Sequence, residues 1–182
     1  MKEVLIFILI FLAVFIVALV IFSGRFIYAQ LKYNILGPAP LGEKILIGIE
    51  GPEKIVIPLI GIEAPVILAE NSDEYTLQKA LEKGVVLYPN SNIILGHSSA
   101  YPWYRGNYGS VFSLLNKLEK GDEILLFSED KEYNYQVVSK EIKAPKEIST
   151  ESDKPNLYLI SCWPINTDWK RIVVKADLTK IK

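Results

Sequence analysis

From residue 44 onward the chain consists of short apolar runs separated by turns. The runs are rich in Ile and Val, which favour extended backbone, and they are bounded by Gly, Pro or charged residues. Each has the length of a β-strand. They cover residues 45–49, 55–62, 64–68, 93–95, 123–128, 133–141, 157–162 and 171–178. This pattern predicts seven or eight strands.

Two segments have helical spacing instead. In residues 72–83 the apolar side chains of Leu77, Ala80 and Leu81 recur on one helical face, and a glycine follows as a stop signal. Residues 111–118 are predicted to form a second short helix that ends at Lys120 and Gly121. Strands with two short helices predict a mainly β domain, and closure into a β-barrel would remove exposed strand edges. A β-sandwich is the alternative.

Residues 4–22 are an unbroken run of 19 apolar residues. A helix of this length rises about 28 Å, close to the hydrocarbon thickness of a bilayer. We therefore predict a single transmembrane anchor in residues 1–23, a tether in residues 24–43 where prolines oppose regular structure, and a folded domain in residues 44–182. A cleaved signal peptide is the alternative, but the run exceeds a usual signal core and no small-x-small cleavage site follows.

Charges flanking the apolar run leave its orientation open. Lys2 is balanced by Glu3 on one side, while Arg25 and Lys32 lie on the other. The whole chain carries a formal net charge of -1, so it lacks the basic footprint of a nucleic-acid binder. A single cysteine rules out an internal disulfide and a CxxC redox or zinc motif.

That cysteine, Cys162, is one of three candidates for chemistry. It ends a strand, the single histidine His97 follows another, and Arg171 opens a third. Each residue alone has a structural explanation. Cys162 could be a small buried apolar residue, His97 a histidine with its hydrogen bonds satisfied, and Arg171 a cation on the surface. Together they indicate more, because the turn residues of segment 163–170 would close a hairpin with Cys162 and Arg171 at one end of it. A nearby cation favours a reactive thiolate, and a guanidinium can stabilise an oxyanion.

At these positions the chain resembles the sortase family of cell-surface cysteine transpeptidases. YLISC at residues 158–162 is similar to the family's TLxTC motif, GHS at 96–98 to its histidine signature, and RIVV at 171–174 to its RxVV strand. The resemblance covers roughly residues 50–180. The family pattern differs at Tyr158 and Ser161, where threonines are usual, and the sortase class stays open between D-like and E-like patterns.

The resemblance implies a closed β-barrel and a defined chemistry. Cys162 would be the nucleophile, His97 its acid-base partner and Arg171 the stabiliser of the oxyanion or substrate. Ser98, Ser161 and Trp163 are further expected to contact substrate, although Trp163 could instead stabilise the hairpin. Some relatives bind calcium through acidic residues before the histidine, but residues 85–95 contain no Asp or Glu. We therefore expect no metal and no cofactor.

The implied reaction is cleavage of an LPxTG-like sorting signal through a thioacyl intermediate, with transfer to an amine. The expected partners are secreted proteins that carry the signal, and an acceptor such as a cell-wall precursor or a pilin lysine. Such an enzyme would be a single-pass protein of the cell membrane with an extracytoplasmic domain. Two alternatives stay open: a cysteine acyl hydrolase, and an inactive membrane-anchored binding or scaffold domain with a buried cysteine.

Overall fold

The computed structural model describes residues 4, 6–15, 54–100, 104, 106–128, 131–149 and 156–182. Besides the helical residues 4 and 6–15, these ranges contain eight strands and one α-helix. The helix α1 is Glu74–Leu81, and Asp73 caps its N-terminus by accepting a 2.9 Å hydrogen bond from the Thr76 amide. The strands are β1 Lys54–Ile57, β2 Ile62–Leu68, β3 Val85–Leu87, β4 Ile93–Leu95, β5 Glu123–Ser128, β6 Lys131–Lys143, β7 Leu157–Trp163 and β8 Lys170–Ile181.

The strands close into a barrel in the order β1-β2-β3-β4-β7-β8-β6-β5, with β5 returning to β1. Two neighbouring pairs are parallel, β2 with β3 and β4 with β7. The remaining pairs are antiparallel, and the long β6 and β8 pair along most of their length. Closure gives every strand two partners, which confirms the predicted closed barrel over the sandwich alternative.

The barrel interior is filled by alternate residues of the strands. Leu157 and Leu159 of β7 and Ile172 and Val174 of β8 are buried in it, together with Phe112 from the connection after β4. Since successive side chains of a strand point to opposite faces, the residues between them face outward. On β4, β7 and β8 that outward face carries a small apolar cluster of its own, which contains Ile93, Ile160 and Val173.

Several predicted boundaries differ from the structure. The run at residues 55–62 is interrupted by a 3-10 helix, Pro58–Ile60, after which Gly61 takes a left-handed conformation with φ 61° and lets β2 turn back against β1. The second expected helix, at residues 111–118, consists of turns that end in a 3-10 helix, Leu115–Lys117. The short β3 was missed in the sequence, and the expected strand at 45–49 lies outside the described residues.

The N-terminal segment is described only at residues 4 and 6–15, which are helical. In the part of the chain covered by the structure, no helix has the length and apolar character needed to cross a bilayer. The rest of the apolar run, the predicted tether and the boundary at residue 44 lie outside the described residues.

Candidate active site

Cys162 and Arg171 are direct neighbours across the β7–β8 ladder. Their Cα atoms are register partners, as are those of Ile160 and Val173 two residues further along. Directly opposite residues of an antiparallel pair project from the same face of a sheet. The hairpin that was predicted to bring the thiol and the guanidinium to one strand end is therefore present.

The pairing of β4 with β7, which are far apart in the sequence, brings His97 to the same end of the sheet as Cys162. β4 runs parallel to β7 with Ile93 opposite Tyr158 and Leu95 opposite Ile160. Continuing this register two residues beyond the end of β4 brings His97 level with Cys162. A 3.2 Å hydrogen bond from the Gly96 amide to the Ile160 carbonyl extends the pairing beyond the strand. The three predicted residues thus form a row across one end of the sheet.

A fourth residue continues this row. Lys143, at the end of β6, is the register partner of Arg171 on the side away from Cys162. Its ammonium forms a 2.8 Å ion pair with Glu141, which raises the pKa of Lys143 above its usual value. Both groups are largely solvent-exposed, so the pair adds little stability. Sequence reasoning missed Lys143, because nothing local distinguishes it from the other lysines.

Phe112 constrains the Gly96-His97 dipeptide in two ways. A Cβ atom added at Gly96 would lie 2.5 Å from Cδ2 of the buried Phe112 ring, so a larger residue fits only if the ring shifts. The amide of Phe112 donates a 2.8 Å hydrogen bond to the His97 carbonyl. These contacts give a physical reason for a glycine directly before this histidine.

The imidazole of His97 is partly shielded from water. Burial lowers its pKa from the ordinary value of 6.5, while the negative charge of Glu82, the C-terminal cap of α1, acts in the opposite direction. Its Nε2 atom is buried and has no hydrogen-bond partner among the described residues. The ring of Tyr104 meets the imidazole edge to face, with centroids 5.4 Å apart and planes at 81°. A lowered pKa leaves the imidazole neutral at pH 7, able to accept a proton.

Arg171 is fixed by the loop that closes the hairpin. Its Nη1 donates hydrogen bonds to the main-chain carbonyls of Asp168, at 2.9 Å, and Lys170, at 3.0 Å. The same loop is tied to the segment after His97, because the Asn166 amide donates a 3.0 Å hydrogen bond to Ser99 Oγ. Asp168 thus acts on the guanidinium through its backbone rather than its carboxylate in this geometry.

The residues expected to contact substrate occupy different environments. Ser98 and Ser161 are buried, with 2% and 3% of their surfaces exposed. Ser161 Oγ donates a 2.6 Å hydrogen bond to the Gly96 carbonyl, which gives it a role in holding two chain segments together. Trp163 is half-buried and packs against the barrel core, whereas Trp169 is 73% exposed. The burial of Ser98 and Ser161 does not support a direct contact of either side chain with substrate.

A cavity of about 300 Å³ lies on the outward face of the sheet. Strand residues form one side of it and the segment after β6 forms the other. The strand residues are Ile93, Tyr158, Ile160 and Val173, with Lys143 at the end of β6, and the segment contributes Glu147, Ile148 and Ser149. By strand alternation Tyr158 and Ile160 share a face with Cys162, so the cavity and the thiol lie on the same side of the sheet. The sequence had indicated Tyr158 as a departure from the family motif that could alter packing or substrate contact.

The Sortase domain profile matches residues 55–179, which is almost the entire described barrel. Sortase A of Bacillus anthracis is 30% identical over 148 residues, covering 79% of this chain and 65% of the relative. Sortase D of Bacillus subtilis is 29% identical over 120 residues, covering 60% of this chain and 53% of the relative. The chain thus spans less than two thirds of the length of either relative.

Solved sortase structures share the fold. Sortase C of Streptococcus pneumoniae superposes with a TM-score of 0.60 and 21% identity, covering 88% of both chains. Sortase A of Listeria monocytogenes superposes with a TM-score of 0.58 and 20% identity, covering 71% of this chain and 88% of the other. The barrel topology and the profile match lead to one assignment: this chain belongs to the sortase family.

Proposed function

We propose that this protein is a cysteine transpeptidase that cleaves a sorting signal and transfers the acyl fragment to an amine. The observation that carries the proposal is the row of His97, Cys162 and Arg171 at one end of β4, β7 and β8. Members of the sortase family are cysteine transpeptidases, and this row supplies a nucleophile, a base and a fixed cation at neighbouring positions. The residue roles below are part of the proposal.

In the first half-reaction, His97 takes the proton from the Cys162 thiol as the sulfur attacks the carbonyl carbon of the scissile peptide bond. The carbonyl oxygen becomes an oxyanion, to which the Arg171 guanidinium donates hydrogen bonds. The intermediate then collapses: the carbon–nitrogen bond breaks, and the leaving amine receives the proton from the His97 imidazolium. The product is a thioester on Cys162.

In the second half-reaction, an amine attacks the thioester carbonyl and gives up a proton to the neutral imidazole. The carbon–sulfur bond breaks as the new amide forms, and the departing sulfur regains its proton from His97. The neutral state favoured by burial of His97 suits both proton transfers. Water in place of the amine would give a carboxylic acid, the outcome of a hydrolase.

The cavity on the same face is the proposed site for the sorting signal. Tyr158 precedes Cys162 by four positions, which corresponds to about 13 Å along the strand at roughly 3.3 Å per residue. An extended peptide with its scissile bond at Cys162 would therefore have about four residues alongside β7. The walls formed by Ile160, Val173 and Ile148 suit an apolar side chain of an LPxTG-like signal.

We further propose that residues 4–22 anchor the protein in the cell membrane with its catalytic domain outside. The support is the length and apolar character of this run, together with membership of a family of cell-surface enzymes. Secreted proteins bearing the signal are the proposed acyl donors. A cell-wall precursor or a pilin lysine is the proposed acceptor.

The test measures product partition with the full chain in detergent. An LPxTG-like peptide is incubated with increasing concentrations of several primary amines, including oligoglycine, and products are identified by mass. Transfer predicts that the new amide becomes the main product as the amine concentration rises. Hydrolysed acid alone, formed at a rate independent of every amine, would refute transfer and leave a cysteine hydrolase.

Cys162→Ala is the matched control. It removes the sulfur while leaving a small side chain at a half-buried strand end, so we expect the fold to persist and both the thioester adduct and turnover to vanish. Turnover by this variant would refute a cysteine enzyme. If the wild-type chain forms no adduct with any signal peptide and resists thiol reagents, the binding or scaffold alternative replaces catalysis.

A further inference from the structure

Tyr104 links His97 to the end of helix α1. Its ring packs edge to face on the imidazole, with the centroids 5.4 Å apart. Its hydroxyl donates a 2.8 Å hydrogen bond to the main-chain carbonyl of Leu81, the last residue of α1. The tyrosine is therefore held at both ends, by the helix and by the histidine.

Two glycines make the space that the Tyr104 ring occupies. A Cβ atom at Gly106 would lie 2.6 Å from both the Tyr104 hydroxyl oxygen and the Glu82 carbonyl oxygen. A Cβ atom at Gly109 would lie 2.9 Å from Cδ1 of the Tyr104 ring. At Gly109 the Cβ atom would also lie 2.6 Å from Cβ of Ala100, so both glycines stand where the tyrosine and a second group approach closely. The loop sequence thus accommodates one particular position of this ring.

Among the residues that the structure describes, no hydrogen bond supports Nε2 of the His97 imidazole. In many catalytic sites a carboxylate or carbonyl holds the imidazole in one orientation. Here the buried Nε2 atom has no hydrogen-bond partner within the described ranges, and the nearby carboxylate of Glu82 influences the ring through its charge. Packing against the anchored Tyr104 ring therefore restricts rotation of the imidazole.

We propose that Tyr104 is a positioning residue that orients the His97 imidazole toward Cys162. The proposal rests on the acid-base role of His97 in the proposed function. Tyr104 does not contact the reacting atoms; it acts through the histidine. Misplacement of a proton-transfer group slows chemistry more than binding, so the expected effect falls on kcat rather than KM.

The single histidine makes a direct test possible, because its ring protons give unambiguous NMR signals in the full chain in detergent. We expect Tyr104→Leu to remove the ring-current shift of those protons and to lower kcat roughly tenfold with little change in KM. Tyr104→Phe keeps the ring and should retain most of the shift and rate. Tyr108→Leu is the matched control, since Tyr108 packs against the barrel core and its loss should leave the His97 signals in place.

The outcomes separate this inference from the proposed function. Wild-type His97 shifts and kcat in folded Tyr104→Leu would overturn the positioning role, whereas full turnover by His97→Ala would overturn the acid-base role itself. If Tyr104→Leu does not fold, Tyr104→Met serves instead, because its flexible side chain fills the space without supplying an aromatic ring. Changed His97 shifts and a lower kcat in that variant support the inference, and unchanged values refute it.

Discussion

Ser161 Oγ donates a 2.6 Å hydrogen bond to the Gly96 carbonyl oxygen, across 65 residues of sequence. The residue before Cys162 is thereby fastened to the residue before His97. We predict that Ser161→Ala leaves this buried carbonyl without its partner, costs about 1–3 kcal/mol of unfolding free energy and lowers kcat several-fold. Chemical denaturation and steady-state transfer kinetics measure the two effects.

Ser161→Thr keeps the hydroxyl and is the matched variant. Threonine also stands at this position in the usual family motif, so the hydrogen bond should form and activity should stay near the wild-type level. Equal activity of the alanine and threonine variants would show that this hydrogen bond does not set the spacing of the catalytic groups.

Arg171 offers a second prediction, because its guanidinium is held by two carbonyls of its own loop. Arg171→Ala should lower kcat by a factor on the order of 10²–10³, the range found for removal of an oxyanion donor. Arg171→Lys should recover only part of this loss, since an ammonium lacks the planar donor pattern. Single-turnover formation of the thioester is the measurement. Full activity with lysine would mean that charge alone matters.

The electrostatic setting of His97 predicts the pH dependence. Burial lowers the pKa of His97 below 6.5, and Glu82 opposes this shift. A protonated imidazole accepts no proton, so kcat/KM should fall as the pH drops through this lowered pKa. Glu82→Gln removes the negative charge, lowers the pKa of His97 further and should move the acid limb of the profile to lower pH.

Glu74→Gln is the control for that experiment, because it makes the same charge change at the opposite end of α1. Its acid limb should coincide with that of the wild type. The other ionisable residues of the row, Cys162, Arg171 and Lys143, are unchanged in both variants. An acid limb that stays in place in Glu82→Gln would show that the limb reports a group other than His97.

Local patterns predicted the parts of the fold that depend on neighbouring residues. The turn-rich segment between β7 and β8 indicated a hairpin, and the structure confirms Cys162 opposite Arg171. Local patterns could not predict the parallel pairing of β4 with β7, because it joins segments that are far apart in the sequence. His97 entered the site through its motif, and the pairing gives the physical reason for its position.

Other features were missed because they have no local signature. Lys143 joins the row only through the register of β6 with β8, and Ile148 covers the outward cluster only through the path of its loop. Tyr104 lies in an aromatic loop that admits several packing arrangements, so the sequence does not predict its contact with His97. The second expected helix had apolar spacing, but the chain packs those residues through turns around Phe112.

The contact between Gly96 and Phe112 leads to the last prediction. In Gly96→Ala the new methyl group would meet the Phe112 ring, at 2.5 Å without relaxation, and the ring is 1% exposed. The ring must therefore move, at a cost of about 1–3 kcal/mol for overpacking. Because the Phe112 amide holds the His97 carbonyl at 2.8 Å, its displacement should also shift the histidine and lower kcat.

Phe112→Leu should make room for the methyl group, so Gly96→Ala/Phe112→Leu should be more stable and more active than the sum of the single changes predicts. Additive effects on unfolding free energy and kcat would show that the two residues are not coupled and that Gly96 serves the site in another way.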